Sequence, residues 1–128
     1  MKIQVIVNPR AKLARDNRAL FLMKEKLGAH LAGVTITSTP GQAFDIVQQA
    51  GVNHIDTLVV VGGDGTLNSA LKGLVGSPMG LAIVPSGTAN DLASFYGLPS
   101  DVATACDVIL ERRLKPIDVI VVLSLIHI

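Results

Sequence analysis

The strand-forming residues Thr57-Leu58-Val59-Val60-Val61 stop at Gly62-Gly63-Asp64-Gly65-Thr66, and a helical pattern starts at Leu67. A run with no polar side has no face to give to water. It suits an internal strand of a parallel sheet that is covered on both faces. A glycine turn between such a strand and a helix lets the backbone approach a ligand closely. It also aims unbonded N–H groups at that ligand, which makes the junction a ready anion site. The rest of the chain must therefore supply neighbouring strands and helices for both faces.

It does so by alternation. Ile3 to Val7 is a β-rich run closed by Asn8-Pro9. The spacing of Leu20, Met23, Leu27 and Leu31 predicts a helix over about 14–31, with Gly28 near its end and Gly33 as C-cap. Val34 to Thr37 reads as a second strand and Ser38 to Gly41 as a turn. Ala43, Ile46, Val47 and Ala50 mark a helix stopped near Gly51. Leu67, Ala70, Leu71 and Leu74 mark another, closed by Gly76-Ser77-Pro78. Gly80 to Val84 is a fourth strand ended by Pro85. A second polar turn follows, Ser86-Gly87-Thr88-Ala89-Asn90-Asp91, then a short helix from Leu92 to Gly97. Ser100 is placed to cap a helix whose apolar face is Val102, Ala105, Cys106, Ile109 and Leu110, with Arg112 and Arg113 at its end. Ile117 to Val122 completes a fifth strand. This order predicts an α/β fold: one three-layer αβα domain with a parallel sheet over residues 1–122. Ligands of such sheets sit at the carboxyl ends of the strands, near the switch point. The turns at Asn8-Pro9, Gly62–Thr66 and Ser86–Asp91 should meet there.

Composition narrows the function. Apolar residues are 49% and charged residues 16%, which does not fit a disordered chain. A formal net charge of +1 argues against nucleic acid held by bulk electrostatics, and 3% aromatics with no Trp against a base-stacking platform. No run approaches the roughly 18 apolar residues of a membrane span, and the early Asn8-Pro9 makes Ile3–Val7 a strand rather than a signal peptide. Cys106 is the single cysteine, so no internal disulfide forms; it is expected in the core, and a reducing compartment fits. His30 and His54 read as surface residues.

The turn at Gly62 is not a Walker loop, because the lysine is missing, and Asn68 stands where a dinucleotide fingerprint has its third glycine. A nucleotide phosphate still suits it, with backbone N–H groups, the helix dipole, and Thr66 and Asn68 as side-chain donors. Asp64 has two readings. It caps the helix or bonds the amides of its own turn, or it holds magnesium and handles a proton in phosphoryl transfer. Asn90-Asp91 carries the same ambiguity, since Asp91 can simply cap the helix at Leu92. Arg10, Lys12, Arg15 and Arg18 are either a solvated face or a basic lip beside the phosphate site.

Taken together, Gly62-Gly63-Asp64-Gly65-Thr66-Leu67-Asn68 and Pro85-Ser86-Gly87-Thr88-Ala89-Asn90-Asp91-Leu92-Ala93 resemble the diacylglycerol kinase catalytic-domain family, which includes bacterial lipid kinases and sphingosine kinases. NAD kinases share the glycine-acid-glycine turn. The Asn8-Pro9 pair, the Thr37-x-x-x-Gly41-x-Ala43 pattern and Ile117-Asp118-Val119 extend the resemblance over nearly the whole chain. It implies the N-terminal ATP-binding domain of a kinase with magnesium-ATP as donor and a lipid hydroxyl, such as that of diacylglycerol, as acceptor. It implies nucleotide contacts at Asn8, Pro9, Thr37, Gly62, Gly63, Asp64, Gly65, Thr66, Leu67, Asn68, Gly87, Thr88, Asn90 and Asp91. Asp64 is the implied catalytic residue. The chain departs from the family pattern at Arg10-Ala11-Lys12, at Ser69 in place of a common glutamate, and at Ser94 in place of a common basic residue.

Members of this family resemble two-domain enzymes, whose second domain supplies the lipid pocket and the general base. On that reading the chain is half an enzyme and inactive alone. Its expected partners are ATP, a lipid met at a membrane surface through the second domain, and another copy in a homodimer; nucleic acid is not among them. The expected location is the cytoplasm, at the membrane periphery. The alternatives are an NAD kinase-like or other small-alcohol kinase domain, and a nucleotide-binding module without catalysis. The tail Leu123-Ser124-Leu125-Ile126-His127-Ile128 has no cap, turn or polar end. Its letters are also one translation of CTGTCTCTTATACACATC, a transposon-end adapter used in sequencing libraries, so the tail is expected to be non-native.

Overall fold

A computed structural model describes residues 1–39, 41–85 and 102–111. The expected turn at 86–91, the helix from Leu92, the cap at Ser100, the strand at 117–122 and the tail at 123–128 lie outside the described residues, as do Arg112 and Arg113. In chain order the elements are β1 (Ile3–Val7), α1 (Lys12–Arg15), α2 (Asn17–Leu27), a 3₁₀ turn (Gly28–His30), β2 (Leu31–Ile36), α3 (Gln42–Val52), β3 (Thr57–Gly62), α4 (Asp64–Leu74), β4 (Gly80–Pro85) and α5 (Val102–Glu111).

The four strands form one parallel sheet in the order β2-β1-β3-β4. The apolar run at Thr57 is an inner strand, as its pattern required, and all six residues of β3 are buried. Period-two alternation divides the core. Ile3, Val5 and Val7 of β1 and Val59 and Val61 of β3 face α1, α2 and α5, where Leu13, Met23, Leu27, Ala105, Cys106 and Ile109 meet them. Ile6, Leu58 and Val60 face α3 and α4, against Ala43, Val47 and Ala70. Helices on both faces give the expected three layers. Cys106 is fully buried in the first of these clusters, as expected.

The helix read over 14–31 is divided differently. Asp16 lies between α1 and α2 and caps the latter, its Oδ1 accepting from the Ala19 N–H at 3.0 Å. The helix then ends at Leu27, because Gly28 takes a φ of 54° that carries the backbone out of it. Leu31, which continued the helical spacing, opens β2 opposite Ile3 instead. Gly33 is therefore a strand residue and no cap. A Cβ there would sit 3.3 Å from Gln4 Oε1 on the adjacent strand. α3 ends at Val52, next to Gly51, as its pattern predicted.

Chain order makes the switch point visible. β1 is followed by β2 on one side, and β3 is then laid on the other side of β1. The crevice of a doubly wound sheet opens at that place. Register puts Val7 opposite both Ile36 and Val61, and Gly62 opposite Pro85. The residues that leave the strands at this level are Asn8, Thr37 and Gly63.

Candidate functional site

The site is assembled where β1 and β3 end. Asn8 continues the ladder by donating its N–H to the Val61 carbonyl at 2.9 Å. Its side chain is occupied at both ends. Nδ2 donates to Thr66 Oγ1 at 2.7 Å, and Oδ1 accepts from the Arg10 N–H at 2.8 Å. The first bond joins residues 58 positions apart and ties the loop after β1 to the first turn of α4. The second folds Asn8-Pro9-Arg10 into an Asx turn. On the other side of β1, the Thr37 N–H donates to the Val7 carbonyl at 2.9 Å, and its buried hydroxyl reaches the same oxygen at 3.4 Å.

The three glycines of the turn do different work. A Cβ at Gly62 would lie 2.9 Å from the Asn8 Cβ and 3.5 Å from Thr66 Oγ1, so this glycine lets the two loops close on each other. At Gly63 and Gly65 a Cβ would meet nothing within 4 Å among the described residues. These two residues keep open the space above the turn. Gly63 holds the N-cap position of α4, Asp64 is the first helical residue, and the bond from the Leu67 N–H to the Gly63 carbonyl opens the helix at 3.2 Å. The N–H groups of Asp64, Gly65 and Thr66 precede that bond and have no acceptor in their own helix. An open cradle lined by such groups at a helix N-terminus fits a phosphate.

Of the expected contacts, the structure brings Asn8, Thr37 and Gly62 to Asn68 to one edge. Gly87, Thr88, Asn90 and Asp91 lie outside the described residues, though β4 delivers the chain to the same edge beside Gly62. The Thr66 hydroxyl is buried and receives Asn8, which makes it a brace of the turn. Leu67 is buried against Ile83, leaving its backbone as the group a ligand could meet. Arg10, Lys12, Arg15 and Arg18 are exposed, and Arg15 Nη2 reaches the Arg10 carbonyl at 3.4 Å. Among the described residues no three His, Cys, Asp or Glu side chains come together to hold a metal ion.

Two supports escaped the sequence reading. Gln42 Oε1 accepts from the Ser38 N–H at 2.7 Å and from its hydroxyl at 3.0 Å, which pins the loop that follows Thr37. Ser69 of α4 accepts the Phe44 N–H of α3 at 3.2 Å, so its hydroxyl braces two helices. No local signal marks that contact.

Comparison with known proteins agrees with this fold. The model of the diacylglycerol kinase catalytic domain matches residues 2–122. A Klebsiella pneumoniae protein named "Probable lipid kinase YegS-like" is 40% identical over 88 residues, 67% of this chain and 30% of its own length. The diacylglycerol kinase of Bacillus subtilis is 28% identical over 125 residues, 92% of this chain and 41% of its own. The crystal structure of a diacylglycerol kinase from Bacillus anthracis superposes with a TM-score of 0.77 at 32% identity, over 90% of this chain and 43% of that one. The chain thus spans less than half the length of these relatives.

Proposed function

The chain belongs to the diacylglycerol kinase catalytic domain family, and from that premise we propose that it is the ATP-binding half of a lipid kinase. The proposed reaction moves the γ-phosphoryl group of ATP to a lipid hydroxyl such as that of diacylglycerol. The observation that carries the reading is the junction of β3 and α4, an open glycine cradle at a helix N-terminus on the sheet's switch point.

In this reading the backbone N–H groups from Gly63 to Thr66 bind phosphate oxygens, aided by the positive end of the helix dipole. The Asn8–Thr66 bond keeps the cradle in shape before the nucleotide arrives, so little ordering cost remains for binding. The buried ends of β1 and β3 exclude water from behind. Asp64 is the acid in this turn. One carboxylate beside phosphates suits magnesium, which keeps several waters and shares phosphate oxygens. When bound, that ion neutralises charge on the transferring group. The lipid pocket and the general base belong, in this proposal, to the length that the relatives have and this chain does not span.

Titrating magnesium-ATP into the isotopically labelled chain tests the nucleotide assignment. The largest amide shifts are expected from Gly63 to Thr66, with Gly51 unmoved. Shifts confined elsewhere would overturn it. Radiolabel transfer to diacylglycerol by the 128-residue chain alone is expected to be absent. Turnover would refute the half-enzyme part, and transfer to NAD would favour the rival kinase class.

A further inference from the structure

The chain carries no Asp, Glu, Lys or Arg between Lys26 and Asp45. That stretch holds β2, which ends the described sheet, with β1 on one side and no described strand on the other. Natural edge strands are guarded by charge, proline, a bulge or a covering element. One such guard is present here, a register shift between Ile3 and Gln4 that leaves Ala32 without a partner near the start of the strand. From Gly33 to Ile36 the register is regular, and the residues are glycine, valine, threonine and isoleucine.

The ladder to β1 tells which backbone groups of β2 are open. The Thr37 N–H points to β1, where the Val7 carbonyl accepts it at 2.9 Å. Successive residues of a strand send their N–H and C=O to opposite sides, so Thr35 points inward with Thr37, and Val34 and Ile36 present theirs to the open side. Apolar side chains flank this row. Ile36 lies opposite Val7, on the face that α2 covers, and is 46% exposed. α5 packs on α2 and β4, and Lys26 bridges Asp107 of α5 at 3.1 Å, so Lys26 marks the side of α2 turned away from the β2 edge. Phe21 and Lys24 stand about 140° and about 160° around the helix from it, on the side of that edge. Phe21 is 63% exposed, and the stem of Lys24 can lie along such surface with its charge in water.

We infer that β2 pairs with β2 of a second copy of this chain across a two-fold axis, joining two sheets into one. An axis normal to the sheet makes the pairing antiparallel and keeps like layers together, so α2 lies beside α2 of the copy. Val34 opposite Ile36 of the copy uses all the open groups of both residues in two hydrogen-bonded pairs. It leaves Thr35 on the axis as a pair without hydrogen bonds. Phe21 and Ile36 lose exposed surface in that arrangement. A second copy suits this edge because the edge is self-complementary: the paired strands oppose no like charges, and their donors and acceptors match. The cradle on β3 lies two strands in and stays open. The inference is independent of the kinase reading and gives the expected homodimer a place on the sheet.

Sedimentation velocity of the 128-residue chain at about 10 to 500 μM tests it, the range that suits an interface of one strand and one helix. The mean mass is expected to rise towards that of two chains. Val34→Pro removes an outward N–H without touching the ladder to β1, and should weaken association by about tenfold or more. Ile36→Lys sets like charges across the axis and should do the same. Val52→Lys, at an apolar residue 70% exposed on α3, should leave association unchanged. Cysteine pairs test the register without relying on these variants. Thr35→Cys puts two Cα atoms about 4.5 Å apart, within disulfide reach, so oxidation should give a covalent dimer. Ala32→Cys, about 20 Å from its mate in the same pairing, should not; Cys106 is buried and common to both. A single-chain mass at every concentration would overturn the inference. So would association unmoved by both Val34→Pro and Ile36→Lys, or equal cross-linking of the two cysteine variants.

Discussion

At its amino edge the sheet is closed by its own chain. The Lys2 N–H donates to Asp56 Oδ2 at 2.7 Å, the Asp56 N–H returns a bond to the Lys2 carbonyl at 2.9 Å, and the Gly80 N–H reaches the Asp56 carbonyl at 2.9 Å. One acid thus links the starts of β1, β3 and β4. At the carboxyl edge β1 and β3 part into loops, and among the described residues the side-chain bond from Asn8 to Thr66 ties the two together. There the backbone groups at the start of α4 keep no acceptor in their own helix. The two edges carry the same ladder and differ in what their loops do with polar groups. One edge consumes them in holding the strands, and the other braces itself with two side chains and leaves the first N–H groups of α4 without an acceptor in their own helix.

The sharpest way to break this contrast is Gly62→Ala. Its methyl would lie 2.9 Å from the Asn8 Cβ, backbone-anchored on both sides. A loss of about 2–3 kcal/mol in urea unfolding is expected, together with loss of ATP binding by calorimetry. Gly63→Ala is the companion, since a methyl there meets nothing within 4 Å. It should leave stability within about 0.5 kcal/mol and still weaken ATP, because its methyl fills the cradle. Equal behaviour of the two variants would erase the distinction between closing and opening glycines.

Asn8→Ala comes next. Removing the brace should cost about 1–2 kcal/mol of stability and about tenfold in ATP affinity. A cycle with Thr66→Val should show coupling of about 1 kcal/mol. Additive effects would mean that Asn8 meets the nucleotide by itself. On the other edge, Asp56→Ala should cost about 1 kcal/mol in the same unfolding measurement and leave ATP affinity unchanged. A change in affinity there would show that the edges are not independent. The smallest effect is expected from Gly51→Ala, in the last turn of α3 with open space at its Cβ. It should raise stability by about 0.5 kcal/mol, read as a small upward shift of the thermal midpoint.

Much of this architecture was legible along the chain. β1, β3 and the turn at Gly62 were readable because a fully apolar run admits few placements and because glycines after a strand are a local signal. α4 and α5 followed from their apolar stripes. The boundary between α2 and β2 was not, since Leu31 satisfies a helical spacing and a strand position equally well. What decided it was pairing with Ile3 and the backbone reversal at Gly28. The capping acid Asp16 was a local signal that went unused beside the stronger periodicity. In the site, the glycine turn was legible as a motif, whereas the bond between Asn8 and Thr66 was not, because it joins residues 58 positions apart.

The sequence by itself determined the alternation of strand and helix, the burial of β3 on both faces and the place of the glycine turn. Each of these follows from hydrophobic period and backbone freedom, which act over a few residues. Only the tertiary structure decided which strand lies beside β3, which glycine closes the turn and which ones open it, and that Asn8 braces Thr66 across 58 positions. The physical reason is range. A side-chain hydrogen bond at 2.7 Å and a Cβ contact at 2.9 Å are matters of packing, set when helices on both faces bring distant loops to one edge.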